Sequence, residues 1–353
     1  MNLRLVVPLA AALLTIGAGS ARAAGTEVGV SDDRVLLVGG ADPDRVVGEW
    51  KANGVDVVRI FALWSRIAPA RKPAGFDGAN QHAPGYEWGR LDEAIRRVRR
   101  AGIKVMLTVS GPGPVWTSRS PGRGNPRYKP DPAEYADFAA AVASRYGADV
   151  DRYILWNEPN LPSWLQPQAS CVHRRCTPVA PHLYRGLVRA AYPAIKAADP
   201  GAQVLIGALS SRGLDMKARN STLRPLVFLR ALGCVSSGFA RLRSGDCKGF
   251  KPATADGFAF HPHGTLTSPD RAYRNRDDVN LASLGRLESA LDRLQRGGRL
   301  RPTTRRFNLF LDEYGYQTRP PDRTAGVSLA TQDRWLQRAA YRAWRDPRVR
   351  LLA

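Results

Sequence analysis

The feature that most constrains this chain is an alternation repeated along nearly its whole length. A short, almost wholly apolar run is followed by an amphipathic stretch, and the pattern then starts again. The runs fall at Val35–Val38, Val55–Leu63, Lys104–Val109, Tyr153–Trp156, Gln203–Gly207, Gly257–Phe260 and Phe307–Leu311. Most are rich in β-branched or aromatic residues, as suits parallel strands buried on both faces. Between them lie helical stripes. Asp131 and Pro132 supply an N-cap and a first helical position, and Tyr135, Phe138, Val142 and Tyr146 then share one face. Leu91, Ile95 and Val98 form a second stripe. Leu183, Leu187, Ala191 and Ile195 form a third, and Leu281, Leu284, Leu287, Leu291 and Leu294 a fourth. A last helix is expected around Ala330–Asp346. Strand–helix alternation calls for a parallel sheet with crossover helices.

Seven repeats exceed what a small doubly wound sheet needs and approach the eight of a closed barrel. A chain of 353 residues has room for such a barrel, which takes about 250. The expected fold is therefore a TIM (β/α)8 barrel. Arg348–Ala353 reads as the start of an eighth strand, so the eighth strand and its helix are expected to be truncated. An open barrel would leave two strand edges unpaired. The loops after the strands are long at Ser110–Lys129, Pro159–Ala180 and Ser210–Thr222. In barrels that face carries function.

Residues 1–23 read as a secretory signal, with the mature barrel domain at 24–353. Arg4 precedes an apolar run from Leu5 to Ile16, and Ala21-Arg22-Ala23 offers a cleavage site. The rival reading is an uncleaved anchor. A secreted, extracellular protein with no membrane contact after cleavage is the expectation. In an oxidising compartment the four cysteines suggest two disulfides, with three possible connectivities. Nearest-neighbour pairing, Cys171 with Cys176 and Cys234 with Cys247, would staple two separate loops. The flanking His173 and His182 raise a zinc site as a rival, but the spacing matches no standard zinc pattern.

The net charge is +22. The basic residues are spread along the chain without aromatic interleaving, which favours compositional bias and solvated helix faces over a specific nucleic-acid or acidic-polymer surface.

Two strands end in carboxylates. Tyr153-Ile154-Leu155-Trp156 runs into Asn157-Glu158-Pro159-Asn160, and Pro159 cannot continue the ladder. Phe307–Leu311 runs into Asp312-Glu313-Tyr314-Gly315. Counting strands puts Glu158 on the fourth and Glu313 on the seventh. Two carboxylates on one rim are what glycoside cleavage requires. Asp312 competes with Glu313 for the inward place, and strand parity alone leaves both open. Trp64, Trp116 and Trp164 follow strands two, three and four and are candidate sugar platforms or local packing.

With these motifs in that order, the chain resembles the clan of (β/α)8 retaining glycoside hydrolases with catalytic glutamates on strands four and seven. The Trp-Asn-Glu-Pro-Asn run is most similar to cellulase-like and β-xylosidase-like members. The resemblance implies Glu158 as general acid/base, Glu313 as nucleophile and Asn157 as the contact to the sugar 2-hydroxyl. It implies Arg59, in Val57-Val58-Arg59-Ile60-Phe61, beside the nucleophile. His261-Pro262-His263 resembles the clan's His-x-Tyr pattern with His263 in place of Tyr, which leaves open what contacts the nucleophile. The clan's strand-eight Trp has no counterpart here.

The implied activity is hydrolysis of β-linked O-glycosides, on an oligo- or polysaccharide, by a monomer without cofactor or metal. Two other readings stand beside it. One is a metal-dependent barrel hydrolase using His261 and His263; the other is a non-catalytic polysaccharide- or cell-wall-binding barrel.

Overall fold

The structure is a computed structural model. It describes residues 25–353 apart from residue 174, so the proposed leader lies outside the described residues. Eight strands form a closed parallel barrel: β1 (Glu27–Ser31), β2 (Val57–Leu63), β3 (Lys104–Ser110), β4 (Arg152–Leu155), β5 (Gln203–Ser210), β6 (Gly257–His261), β7 (Leu309–Leu311) and β8 (Val349–Leu352). The helices between them are α1 (Pro43–Ala52), α2 (Gly89–Arg100), α3 (Pro132–Tyr146), α4 (Ala180–Ala198), α5 (Pro225–Leu232), α6 (Leu284–Arg296) and α7 (Leu329–Arg345). Among the described residues, no helix is long and apolar enough to cross a membrane.

Two expectations about the barrel are corrected. The first strand is Glu27–Ser31, and Val35–Val38 belongs to a helical turn over Arg34–Val38. The more apolar run misled because β1 is only partly buried, with Val28 half exposed, whereas the turn sends Leu36 into the core. The second correction concerns closure. An eighth strand is present, pairing with β7 through Leu309 and Val349 and with β1 through Glu27 and Leu351. The seam is tight: a Cβ on Gly29 would stand 2.6 Å from Cβ of Ala353. Glycine in β1 is therefore what lets the two short strands meet.

Two cores result. Inside the barrel, Val57, Met106, Ile154, Leu205, Ala208, Ala259, Phe310 and Leu351 pack against one another. Outside it, alternate strand residues such as Val58, Ile60, Val105 and Leu107 meet the helices. In α3, Asp131 caps the first turn by accepting from the Ala133 N–H, and Tyr135, Phe138, Val142 and Tyr146 are buried as their spacing requires. Both disulfides are present, Cys171–Cys176 and Cys234–Cys247. The first staples a small hairpin, Ala169–Val172 with Arg175–Pro178, in the loop after β4.

Closure by β8 makes Leu351 part of the inner core. Leu351→Ala is expected to lower the unfolding free energy by about 2–5 kcal/mol. Leu329→Ala, on a side chain 70% exposed, should change it by less than about 0.5 kcal/mol. Urea unfolding followed by circular dichroism checks both.

Candidate active site

The inner face of β2 alternates Val57, Arg59, Phe61. That period lifts Arg59 from the apolar inner core to the layer just above it, at the C-terminal rim. The guanidinium is buried and shared among several elements. Nη1 donates to Glu313 Oε2 at 2.9 Å and to Ser31 Oγ at 3.2 Å. Nη2 donates to Asn157 Oδ1 at 2.7 Å, and Nε to Thr108 Oγ1 at 2.9 Å. Nε also lies 3.1 Å from Asp312 Oδ2. One cation thus ties the ends of β1, β2, β3, β4 and β7 together.

The turn after β4 is built by unusual backbone. Trp156 and Glu158 have φ of 69° and 36°, a left-handed conformation that side chains rarely adopt. Such residues cost about 1–3 kcal/mol each and persist where surroundings over-determine them. Here the Trp156 indole fills the space left by Gly111, where a Cβ would stand 2.0 Å from the ring. The Glu158 N–H donates to Ala208 O at 2.9 Å, at a bulge in β5. The turn buries Asn157 against Arg59 and sends Glu158 into the cleft. With Oδ1 of Asn157 accepting from Arg59, its NH2 is the end left to donate.

Asp312 and Glu313 divide the strand-seven rim between them. Asp312 is fully buried between Arg59 and His261, while the Glu313 side chain is 36% exposed and faces the cleft. His261 lies fully buried between carboxylates. Nε2 lies 3.2 Å from Asp312 Oδ2 and Nδ1 3.1 Å from Glu158 Oε1, with Glu313 Oε2 3.7 Å from the same Nδ1. Burial alone would lower its pKa, but Asp312 and Glu313 overcome this and push it up to about 10. For Glu313, burial works toward a raised value. The charge of His261, a hydrogen bond from His263 and the Arg59 charge override it, holding the carboxyl well below the usual carboxylate range.

His263 Nε2 contacts Glu313 Oε1 at 3.3 Å, so the imidazole in the place of the expected tyrosine reaches that carboxylate itself. Its ring stacks on Tyr314, and its backbone carbonyl accepts from Tyr273 Oη at 2.7 Å. Donor atoms of His261, His263 and Glu313 lie within 4.8 Å of one another, a spacing a metal ion would accept. The same His261 nitrogens lie within hydrogen-bond distance of Asp312 and Glu158, so a metal there would have to displace the proton that those carboxylates favour.

The three tryptophans part company. Trp64 is 1% exposed and stacks on Phe138 at 5.4 Å, so it is core and offers no face to a sugar. As the first residue after β2 it points outward, between sheet and helix. Trp116 donates its Nε1–H to Pro69 O and lies edge-on to Phe76, packing within the loop layer. Trp164 lines the cleft, stacked on Phe61 at 5.8 Å, with the Arg59 guanidinium 4.6 Å from the other aromatic of that pair.

The cleft has a volume of about 960 Å³, and its wall includes Phe61, Asn157, Glu158, Trp164 and Glu313. It also includes Asp33, which was not anticipated. Burial pushes this carboxyl up to about 6, although it accepts the Phe61 N–H at 2.9 Å. The signal was present: Ser31-Asp32-Asp33 repeats the carboxylate-after-strand pattern of Leu311-Asp312-Glu313, but placing the first strand at Val35–Val38 hid it.

No family model matches the sequence. A stretch of 124 residues is 31% identical to galactolipid galactosyltransferase SFR2 of Arabidopsis thaliana; it makes up 34% of this chain and spans only 19% of that protein. Among solved structures, a glucosidase from Croceicoccus marinus superposes with a TM-score of 0.57 at 15% identity, over 92% of this chain and 57% of its own. The β-glycosidase BGL167 gives 0.54 at 15%, over 93% and 85%. Virulence factor SghA from Agrobacterium tumefaciens gives 0.51 at 13%, over 94% and 87%. The chain has the fold these proteins share, a TIM barrel. At such identities the likeness is one of architecture.

The shifts of His261 and Glu313 set opposite limbs of stability. A raised pKa contributes stability fully present below the unfolded value, 6.5, and lost as pH climbs towards 10. A lowered pKa contributes stability present above 4.5 and lost as pH falls. Stability should therefore be greatest between these limits. His261→Gln should flatten the alkaline limb and also shrink the acid one, because the His261 charge is the largest influence holding Glu313 and Asp312 down; denaturant titrations at a series of pH values would show both changes.

Proposed function

We propose that the chain is a secreted retaining glycosidase that hydrolyses β-linked O-glycosides. The observation that carries this reading is the convergence of two carboxylates on one imidazole nitrogen. Glu158 and Glu313 approach His261 Nδ1 at 3.1 and 3.7 Å, so their oxygens cannot be further apart than those two distances laid end to end. The carboxyl spacing of a retaining pair, about 5–5.5 Å, fits within that limit.

In this mechanism Glu158 gives its proton to the glycosidic oxygen as the bond from that oxygen to the anomeric carbon breaks. Glu313 attacks the same carbon from the other face and forms a glycosyl ester. Glu158, now a base, takes a proton from water, which displaces Glu313 and restores the starting configuration. His261, His263 and Arg59 keep Glu313 anionic and aimed. Asn157 offers its NH2 to the sugar hydroxyl next to the anomeric carbon, and Trp164 offers a stacking face. Asp33 takes hydroxyls on the β1 side of the cleft. Export is supported by the two disulfides and by the leader-like first 23 residues.

The test is turnover of a panel of aryl β-glycosides, with the anomer of the first product read by NMR. Glu313→Ala should lose at least ~10³-fold in kcat and recover activity with azide as an α-glycosyl azide. Glu158→Ala should lose about 10²–10⁴-fold on poor leaving groups and far less on dinitrophenolate, which needs no proton. Glycan binding without turnover would instead support the non-catalytic reading, and a fully active Glu313→Ala would sink the mechanism.

A further inference from the structure

The catalytic cleft does not end at Trp164. Leu63, Arg66 and Trp164 form part of its wall and also part of the wall of a second chamber of about 500 Å³, completed by Ser65, Pro112, Arg127 and Ser163. No acidic residue lines that chamber. Among the described residues, Arg66 has no carboxylate partner, and Glu87, which lines the catalytic cleft, forms no ion pair with it. Arg127 spends its Nε–H on the Ser163 carbonyl at 2.6 Å, which fixes the guanidinium against the loop carrying Trp164 and leaves its terminal nitrogens without a carboxylate.

The basic side continues beyond the chamber. Arg123 and Lys129 both stand over the Tyr128 ring, at 4.5 and 5.5 Å to its centroid. This strip is tied to the Trp164 loop by Lys129 N–H to Gln166 O and Gln166 N–H to Arg127 O, each 2.8 Å. Cations and aromatic faces therefore alternate here, although along the whole sequence they do not. An aromatic face stacks on the C–H surface of a sugar ring, and a guanidinium fork matches a carboxylate with two parallel hydrogen bonds. The two together recognise a sugar that carries a carboxylate.

Building on the glycosidase reading, we propose that the chamber beyond Trp164 is a subsite for a uronate residue, and that the substrate is an acidic β-linked glycan. Trp164 takes the ring that adjoins the cleaved bond, and Arg66 and Arg127 take the carboxylate of a uronate next to it. The strongly basic surface then raises the local concentration of an anionic chain.

The experiment measures binding by calorimetry to the Glu158→Gln protein, so that it does not depend on turnover. The probes are a hyaluronan tetrasaccharide and a glucuronoxylan-derived acidic tetrasaccharide, each beside its carboxyl-reduced twin. At least one acidic probe should bind about tenfold tighter than its twin at low salt, the gap shrinking in 0.5 M NaCl. Arg66→Gln and Arg127→Gln should each narrow the gap. Arg296→Gln, the same charge change on a different face of the molecule, should leave it unchanged. Acid and twin binding alike, no binding of any probe, or an equal effect of Arg296→Gln would overturn the subsite. Selective acid binding by a wild-type protein that turns over no glycoside would leave the subsite standing and remove the glycosidase reading alone.

Discussion

The buried guanidinium of Arg59 is the interaction on which the rim of this barrel depends. A lone cation at that depth would be prohibitively costly, and it is tolerated because carboxylates of Asp312 and Glu313 lie 3.1 and 2.9 Å away. The converse holds equally. Two carboxylates in adjacent positions repel, and Asp312, fully enclosed, stays ionised only because Arg59 and His261 flank it. Two cations and two anions form a balanced set, enclosed at Arg59, His261 and Asp312 and open to the cleft at Glu313, and Glu158 joins at its edge through His261. The pKa shifts of His261, Asp312 and Glu313 follow from that arrangement.

The architecture was largely legible because parallel barrel strands are buried on both faces and stand out as apolar runs. It failed where that physics fails. β1 carries only Val28, Gly29 and Val30 between polar ends and is half-solvated, so the more apolar Val35–Val38 outcompeted it. β8 is four residues long and sits at the end of the chain, where pattern alone cannot distinguish a complete strand from the start of one. Its pairing on both sides is a tertiary fact, visible only once Gly29 is seen to make room for Ala353.

At the rim, Glu158, Glu313, Asn157, Arg59, His261 and His263 come together. Asp312 against Glu313 could not be decided from parity because regular pairing ends at Leu311. The structure gives each a distinct place, one enclosed and one facing the cleft. For the tryptophans the sequence leaves platform and packing open, since exposure of an aromatic after a strand depends on whether the next turn points it in or out. Trp64 turns outward into helix packing; Trp164, on a longer loop, returns over the opening. Asp33 was missed as a direct consequence of misplacing β1.

Arg59 also touches Phe61, and Phe61 touches Trp164, so a stack of flat groups runs from the enclosed charge cluster to the mouth of the cleft. This couples deep and shallow parts of the molecule unequally. Exchanges at the mouth, on the loops around Trp164 and Arg127, meet solvent and can vary one at a time. Exchanges below must change charge in compensating pairs. Diversification of this scaffold, by nature or in the laboratory, should therefore run through the loops and leave the layer beneath them nearly constant.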